Sequence, residues 1–163
     1  MSIARPLEKI ENFDKLQQEV VGIIDKVGFV MNQIILQSLV EGVEEWHVGI
    51  GAIEELEEAD ERKYCYLNPS IEDSELGKII KKYNGYRARI MLMPPRRCYS
   101  VHRDIGVRMH IPIVTNDQSW MVWPFDSHCV RLKPGFLYVT DTTKNHTFIN
   151  GGTTDRIHVV ICV

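Results

Sequence analysis

From Arg87 to Val163 the chain reads RARIMLMPPRRCYSVHRDIGVRMHIPIVTNDQSWMVWPFDSHCVRLKPGFLYVTDTTKNHTFINGGTTDRIHVVICV. Short apolar runs follow one another here, at 87–93, 98–104, 107–114, 118–123, 136–141, 145–150 and 156–163. Pro94-Pro95, Asn116-Asp117, Pro134-Gly135 and Gly151-Gly152 separate them, residues that bend the chain or remove a backbone donor. Closely spaced short strands with this punctuation predict an all-β sandwich or barrel rather than βαβ units. The economical arrangement is a mainly β fold, a cupin-like jelly roll with helices packed outside it.

The first half reads differently. Leu7, Ile10, Phe13, Leu16, Val20, Ile24 and Val27 recur at helical spacing and predict a helix over 7–27, stopped by Gly28. Phe29 to Leu39 is apolar and β-branched, the composition of a strand. Ser70 is placed to cap a second helix over 71–83, with Leu76, Ile79, Ile80 and Tyr83 inward. Glu54 to Glu61 carries six acidic side chains in eight residues, the pattern of a solvated loop or helix face. With no repeat or linker to divide it, the chain is expected to form a single domain over 1–163. Residues 1–86 would be a helix-and-strand preface and 87–163 the jelly-roll core.

Bulk composition narrows the function classes. A formal charge of −3, with 44% hydrophobic and 25% charged residues, is that of an ordinary globular protein. It offers no broad basic surface for nucleic acid and no reason to expect a membrane partner. Met1 to Pro6 lacks the apolar core of a secretory signal. Cys65, Cys98, Cys129 and Cys162 are spread without a CxxC pair, which argues against a zinc ribbon and predicts reduced thiols in a cytoplasm. Oligomeric state is not set by any of this.

The chemistry is carried by a spaced set of side chains. His102 and Asp104 are two apart, so on a strand both would project from one face. His146 and Arg156 flank Asn150-Gly151-Gly152-Thr153; a hairpin centred near Gly152 would set His146 opposite His158 and Phe148 opposite Arg156. Two imidazoles and a carboxylate are the ligands that hold Fe(II) in non-heme oxygenases with coordination positions left open. An inward arginine needs a buried anion, and a guanidinium fork suits the far carboxylate of 2-oxoglutarate. Arg108 and His110, again two apart, could share the same interior, and a keto-diacid would satisfy both ends of it. His47, His128 and His158 read as structural or surface residues, His158 with the further option of supporting the ligands from behind.

The run His102-Arg103-Asp104, Arg108-Met109-His110, Pro134-Gly135, Asp141, His146, Asn150 and Arg156 resembles the aspartyl/asparaginyl β-hydroxylase family of Fe(II)/2-oxoglutarate-dependent oxygenases. The resemblance covers about residues 87–163 and implies a double-stranded β-helix (jelly roll). It further implies iron on the positions of His102 and His146, the iron-side end of the cosubstrate on Arg108 and His110, and its distal carboxylate on Arg156. The family's best-known animal member has a glycine where Asp104 stands. With Asp104 this chain has a complete triad, as in oxygenases at large and in bacterial members acting on amino acids. Fe(II), 2-oxoglutarate and dioxygen are thus the expected cofactor and cosubstrates.

Two substrate classes remain open: an Asp or Asn side chain within a polypeptide, and a free amino acid or similar small molecule. Trp120, Trp123, Phe125 and Arg131 could border the pocket or fill core, and Tyr99, Ser100 and Tyr138 could supply a hydroxyl to Arg156. The competing class is a metal-binding cupin, an isomerase or simple dioxygenase that uses no 2-oxoglutarate. Arg108 and Arg156 speak against it, since that chemistry has no diacid to hold.

Overall fold

The computed structural model describes residues 2–51 and 58–163. Its strands are β1 (Ala4–Lys9), β2 (Gln33–Ile35), β3 (Gln37–Ser38), β4 (Tyr66–Leu67), β5 (Tyr86–Met93), β6 (Arg97–Cys98), β7 (Arg108–Val114), β8 (Ser119–Trp123), β9 (His128–Val130), β10 (Phe136–Thr140), β11 (Thr147–Asn150) and β12 (Arg156–Cys162). Three α-helices accompany them among the described residues: α1 (Phe13–Val27), α2 (Glu58–Arg62) and α3 (Glu75–Lys82). A six-stranded sheet runs β1-β10-β7-β12-β5-β2 and a four-stranded one β6-β11-β8-β9, with antiparallel pairing throughout. Side chains of the two sheets meet, Phe148 of β11 lying against Arg156 and His158 of β12. Two facing antiparallel sheets with helices outside make the jelly roll expected from the punctuation of 87–163.

The outer face of the six-stranded sheet is closed by the helices. Leu16, Val20 and Ile23 of α1 and Leu76 and Ile80 of α3 pack on Ile90, Met109, Ile111, Val159 and Ile161. Each such side chain taken fully from water contributes roughly 1.5–3 kcal/mol. The apolar row Ile157, Val159, Ile161 and Val163 thus faces the helices, as its alternation predicts.

Several local expectations needed correcting. The helix expected over 7–27 begins at Phe13, because residues 4–9 pair with β10 as an edge strand. Pro6 has no N–H to give a ladder, and it sits at the edge, beside a register shift, where none is needed. Gly28 ends the helix as expected, its N–H 2.9 Å from the Ile24 carbonyl. Phe29–Leu39 is not one strand: Met31 and Asn32 both have positive φ and form a tight turn closed by Val30 and Gln33. The second helix starts after Ser74, whose hydroxyl accepts from Gly77 N–H at 2.9 Å, not after Ser70, whose hydroxyl donates to Glu44 at 2.6 Å.

The hairpin expected around Gly152 is also absent. β11 pairs with β8 and β6, β12 with β5 and β7, so the turn carries the chain from one sheet to the other. Asn150 makes that crossing possible. Its buried side-chain amide donates to the carbonyls of Met93, Pro94 and Thr154, while its oxygen accepts from Gly152 N–H.

Candidate metal centre and its cavity

His102 and Asp104 lie after β6 in irregular chain, not on a strand. What orients them is a backbone staple to the segment before β11. His102 N–H donates to the His146 carbonyl at 3.0 Å, His146 N–H returns the bond at 2.8 Å, and Asp104 N–H donates to Thr142 at 2.8 Å. Residues so paired stand side by side, and the two imidazole centroids are 4.5 Å apart.

Backbone carbonyls fix which ring nitrogen is free. His102 Nδ1 is 2.8 Å from the Ser100 carbonyl and His146 Nδ1 is 3.0 Å from that of Lys144. A carbonyl only accepts, so each Nδ1 carries a proton, and Nε2 is the nitrogen left to face a metal. Both Nε2 atoms face Asp104, His102 at 3.9 Å from Oδ1 and His146 at 3.9 Å from Oδ2. The three donor groups lie within 4.8 Å of one another, close enough for side-chain torsions to bring them onto one ion. Two imidazoles and one carboxylate suit a divalent transition metal such as Fe(II). Burial, partly offset by the Lys144 carbonyl and Asp104, pushes the His146 pKa down and keeps that ring neutral.

Asp104 is held in turn. Arg108 Nε stands 3.4 Å from Asp104 Oδ2, while Arg108 Nη2 donates to both oxygens of Glu61, at 3.1 and 3.0 Å. Glu61 also accepts from Arg87 Nη1 at 2.6 Å. Glu61 is 3% exposed, so the expectation of a solvated acidic face fails at this residue; residues 54–57 of that stretch lie outside the described residues. Two guanidiniums compensate its charge, which is what burying a carboxylate requires. Arg87 adopts a left-handed backbone, φ 45°, where β5 shifts register against β12. The local sequence carried no sign of this ion pairing.

Deeper in the cavity, Arg156 is 2% exposed. Its guanidinium lies over the Phe148 ring, 3.3 Å from the centroid, and Nη2 donates to His158 Nδ1 at 2.5 Å. Its Nε has no partner, and among the described residues no carboxylate pairs with it. His110 is buried with neither ring nitrogen hydrogen-bonded. Burial, reinforced by the Arg156 charge, drives the pKa values of both His110 and His158 well below 6.5. His158, read from the sequence as structural or surface by default, is the polar partner of Arg156. Tyr99 and Ser100 line the cavity, whereas the Tyr138 hydroxyl accepts from Lys133 N–H elsewhere.

The cavity holds about 420 Å³, within the size of small-ligand sites, and is lined by all six residues singled out, His102, Asp104, Arg108, His110, His146 and Arg156. Five arginines face two carboxylates there, a lining that favours an anionic occupant. Trp123 is fully buried core, its indole N–H donating to the Asp141 carbonyl at 2.8 Å. Phe125 is 78% exposed, and Arg131 lies over Trp120 and pairs with Asp117, all three outside the cavity.

With this geometry in place, the sequence matches the family model described as aspartyl/asparaginyl beta-hydroxylase over residues 55–163, about two-thirds of the chain. The chain belongs to the aspartyl/asparaginyl β-hydroxylase family. It is accordingly a hydroxylase, and the cluster of His102, Asp104 and His146 with its arginine-lined cavity is its candidate active site. The fold is similar to that of the viral collagen prolyl hydroxylase of Paramecium bursaria Chlorella virus-1 in its 2OG complex: TM-score 0.61, 9% identity, covering 99% of this chain and 95% of that one. It is similar also to AviO1 from Streptomyces viridochromogenes Tue57, with TM-score 0.51, 15% identity, and 96% and 85% of the two chains covered. A cupin domain from Bordetella pertussis Tohama I matches 48% of this chain and 80% of its own, at TM-score 0.42 and 22% identity. No curated protein sequence matches the chain. No helix among the described residues is long and apolar enough to cross a membrane.

Proposed function

We propose that this hydroxylase acts as a single Fe(II)- and 2-oxoglutarate-dependent dioxygenase domain. Its substrate would be an Asp or Asn side chain in a polypeptide, or a free amino acid. The observation that carries this reading is the pairing, in one cavity, of a three-ligand cluster with a buried arginine that lacks an anion. His102, Asp104 and His146 would hold the iron, with Arg108 keeping the carboxylate aligned. When bound, iron with 2-oxoglutarate and dioxygen supplies the oxidising chemistry that hydroxylates an unactivated C–H bond, releasing succinate and carbon dioxide.

The chain's own residues bind, orient and shield. Arg156, pressed on Phe148 and steadied by His158, would take the distal carboxylate by bidentate hydrogen bonds. His110, neutral and with both nitrogens free, can donate one hydrogen bond to the near carboxylate, beside Arg108. Such fixed donors orient the cosubstrate, and the apolar Met121 and Phe148 walls exclude water. A cupin that uses no diacid would leave the Arg156 charge uncompensated.

Anaerobic titration with Fe(II) and then 2-oxoglutarate tests this. The weak visible charge-transfer band of the chelate should appear, and succinate should form once oxygen is admitted. Arg156→Ala should weaken cosubstrate binding by the ~2–5 kcal/mol typical of removing one partner of a buried charge pair, about 30- to 1,000-fold or more. No band in the wild type, or an unchanged 2-oxoglutarate affinity in the variant, would refute it.

A further inference from the structure

The six-stranded sheet turns four arginines toward the cavity, and Glu61 and Asp104 compensate only two of them, Arg87 and Arg108. Arg156 is assigned above to the cosubstrate. Arg89 remains. It is 8% exposed, lines the cavity from β5, and has no carboxylate partner among the described residues. Its Nε is buried without a hydrogen bond, and Nη1 has only a long contact, 3.4 Å, to Gln33 Oε1. A buried guanidinium so poorly compensated costs stability until an anion arrives. It also lies close enough to Arg87 that its charge, after burial, lowers the pKa of that neighbour.

The register separates Arg89 from the seat given to 2-oxoglutarate. Arg156 pairs with Met93 on β5, and Arg89 lies four residues away on the same strand, about 13 Å at the rise of a β-strand. Arg89 instead shares a row with Val160 and His110 across β5, β12 and β7. A distal carboxylate seated against Phe148 on Arg156 leaves Arg89 to a separate anion at the other end of the strand. With the near end of the keto-diacid directed to the ligand cluster and His110, a second, independent anion is called for.

We propose that Arg89 binds a carboxylate of the primary substrate, so that the hydroxylated compound is an acid and not its neutral amide. This rests on the reading of Arg156 as the 2-oxoglutarate seat. The carboxylate can come from an aspartyl side chain in a polypeptide or from the backbone end of a free amino acid. Both present the same two-oxygen fork to a guanidinium.

Three probes separate these sources: N-acetyl-aspartyl amide (side-chain carboxylate only), N-acetyl-asparagine (backbone carboxylate only) and N-acetyl-asparaginyl amide (uncharged). Each is titrated calorimetrically into the anaerobic protein loaded with Fe(II) and 2-oxoglutarate. The wild type should bind one of the charged probes at least about tenfold more tightly than the neutral one, the scale of a hydrogen bond to a charged group. Arg89→Gln should lose that preference while forming the 2-oxoglutarate chelate at wild-type affinity, and Arg89→Lys should keep part of it. Without ligands Arg89→Gln should melt at or above the wild-type temperature, since it removes a poorly compensated buried charge.

Equal binding of all three probes, or an acid preference that survives in Arg89→Gln, overturns the proposal. So does loss of the chelate in that variant, which would place Arg89 in the cosubstrate seat, or a clear fall in its melting temperature, which would make Arg89 structural. If the wild type itself forms no chelate, the oxygenase reading fails separately. The same probe comparison on metal-free protein then decides Arg89 alone.

Discussion

The six-stranded sheet carries two chemistries on its two faces, residue by alternate residue. Toward the helices, Ala88 and Ile90 of β5, Met109, Ile111 and Ile113 of β7, and Val159 and Ile161 of β12 form a closed apolar core. Toward the cavity the same strands turn Arg87 and Arg89, Arg108 and His110, and Arg156. Both faces are buried, so exposure does not distinguish them. What differs is completion. Apolar contacts satisfy the outer face by themselves, whereas the inner face keeps buried nitrogens of Arg89, His110, Arg156 and His158 without partners. A sheet can fold on one side and wait for ligands on the other, because successive side chains point oppositely.

The largest expected effect tests whether the inner face is purely functional. His102→Ala should abolish iron retention and succinate formation, measured by metal content after desalting and by turnover. Metal-free stability should change by no more than about 0.5 kcal/mol, since the imidazole is part-exposed, 42% of its side chain. A large loss of stability would break the division between the faces.

Glu61→Gln should show that the inner face also has a structural element. Removing one charge from the buried Arg87–Glu61–Arg108 network should cost about 3–5 kcal/mol, read from the denaturant midpoint. An unchanged midpoint would mean that the network contributes nothing to folding.

Acid should act next, through the inner face. His110 and His158 have folded pKa values well below 6.5, so the unfolded chain takes up protons first as pH falls. Stability is therefore full above pH 6.5 and is lost as pH drops from there toward the folded values, by up to roughly 1.4 kcal/mol per pH unit for each histidine. Melting of the metal-free protein between pH 8 and 5.5 measures it, and a flat profile below 6.5 would contradict buried neutral imidazoles. The smallest effect sharpens the contrast from the other side. Ile111→Val should cost about 0.5–1.5 kcal/mol and leave 2-oxoglutarate affinity unchanged. A shifted affinity would show that the two faces are coupled through β7.

Much of this was legible in the chain. The strand alternation of 107–114 and 156–163, the closing glycine of α1 and the candidate metal cluster of His102, Asp104 and His146 follow from residue type and spacing. Arg87 and Arg89 could have been found by the same period-two reasoning that found Arg108 and His110, since Ala88 and Ile90 mark the opposite face. The segment before α1 misled because Leu7 and Ile10 fit a helical period as well as an edge strand. Phe148 does reach Arg156, and His146 lines the same cavity, but across two facing sheets rather than along a hairpin, since Gly151-Gly152 permits either path and the Asn150 bonds choose one.

The sequence by itself determined the alternating strands, the two imidazoles and carboxylate for a metal, and an arginine-rich inner face. These depend on residue identity at short spacing, which the local backbone translates directly into direction. Only the tertiary structure decided which guanidiniums are already compensated. Glu61 reaches Arg108 across 47 residues of chain, and no local pattern encodes so distant a contact. Charge compensation in a buried site is set by packing, and that packing leaves Arg156 and Arg89 without a carboxylate partner among the described residues.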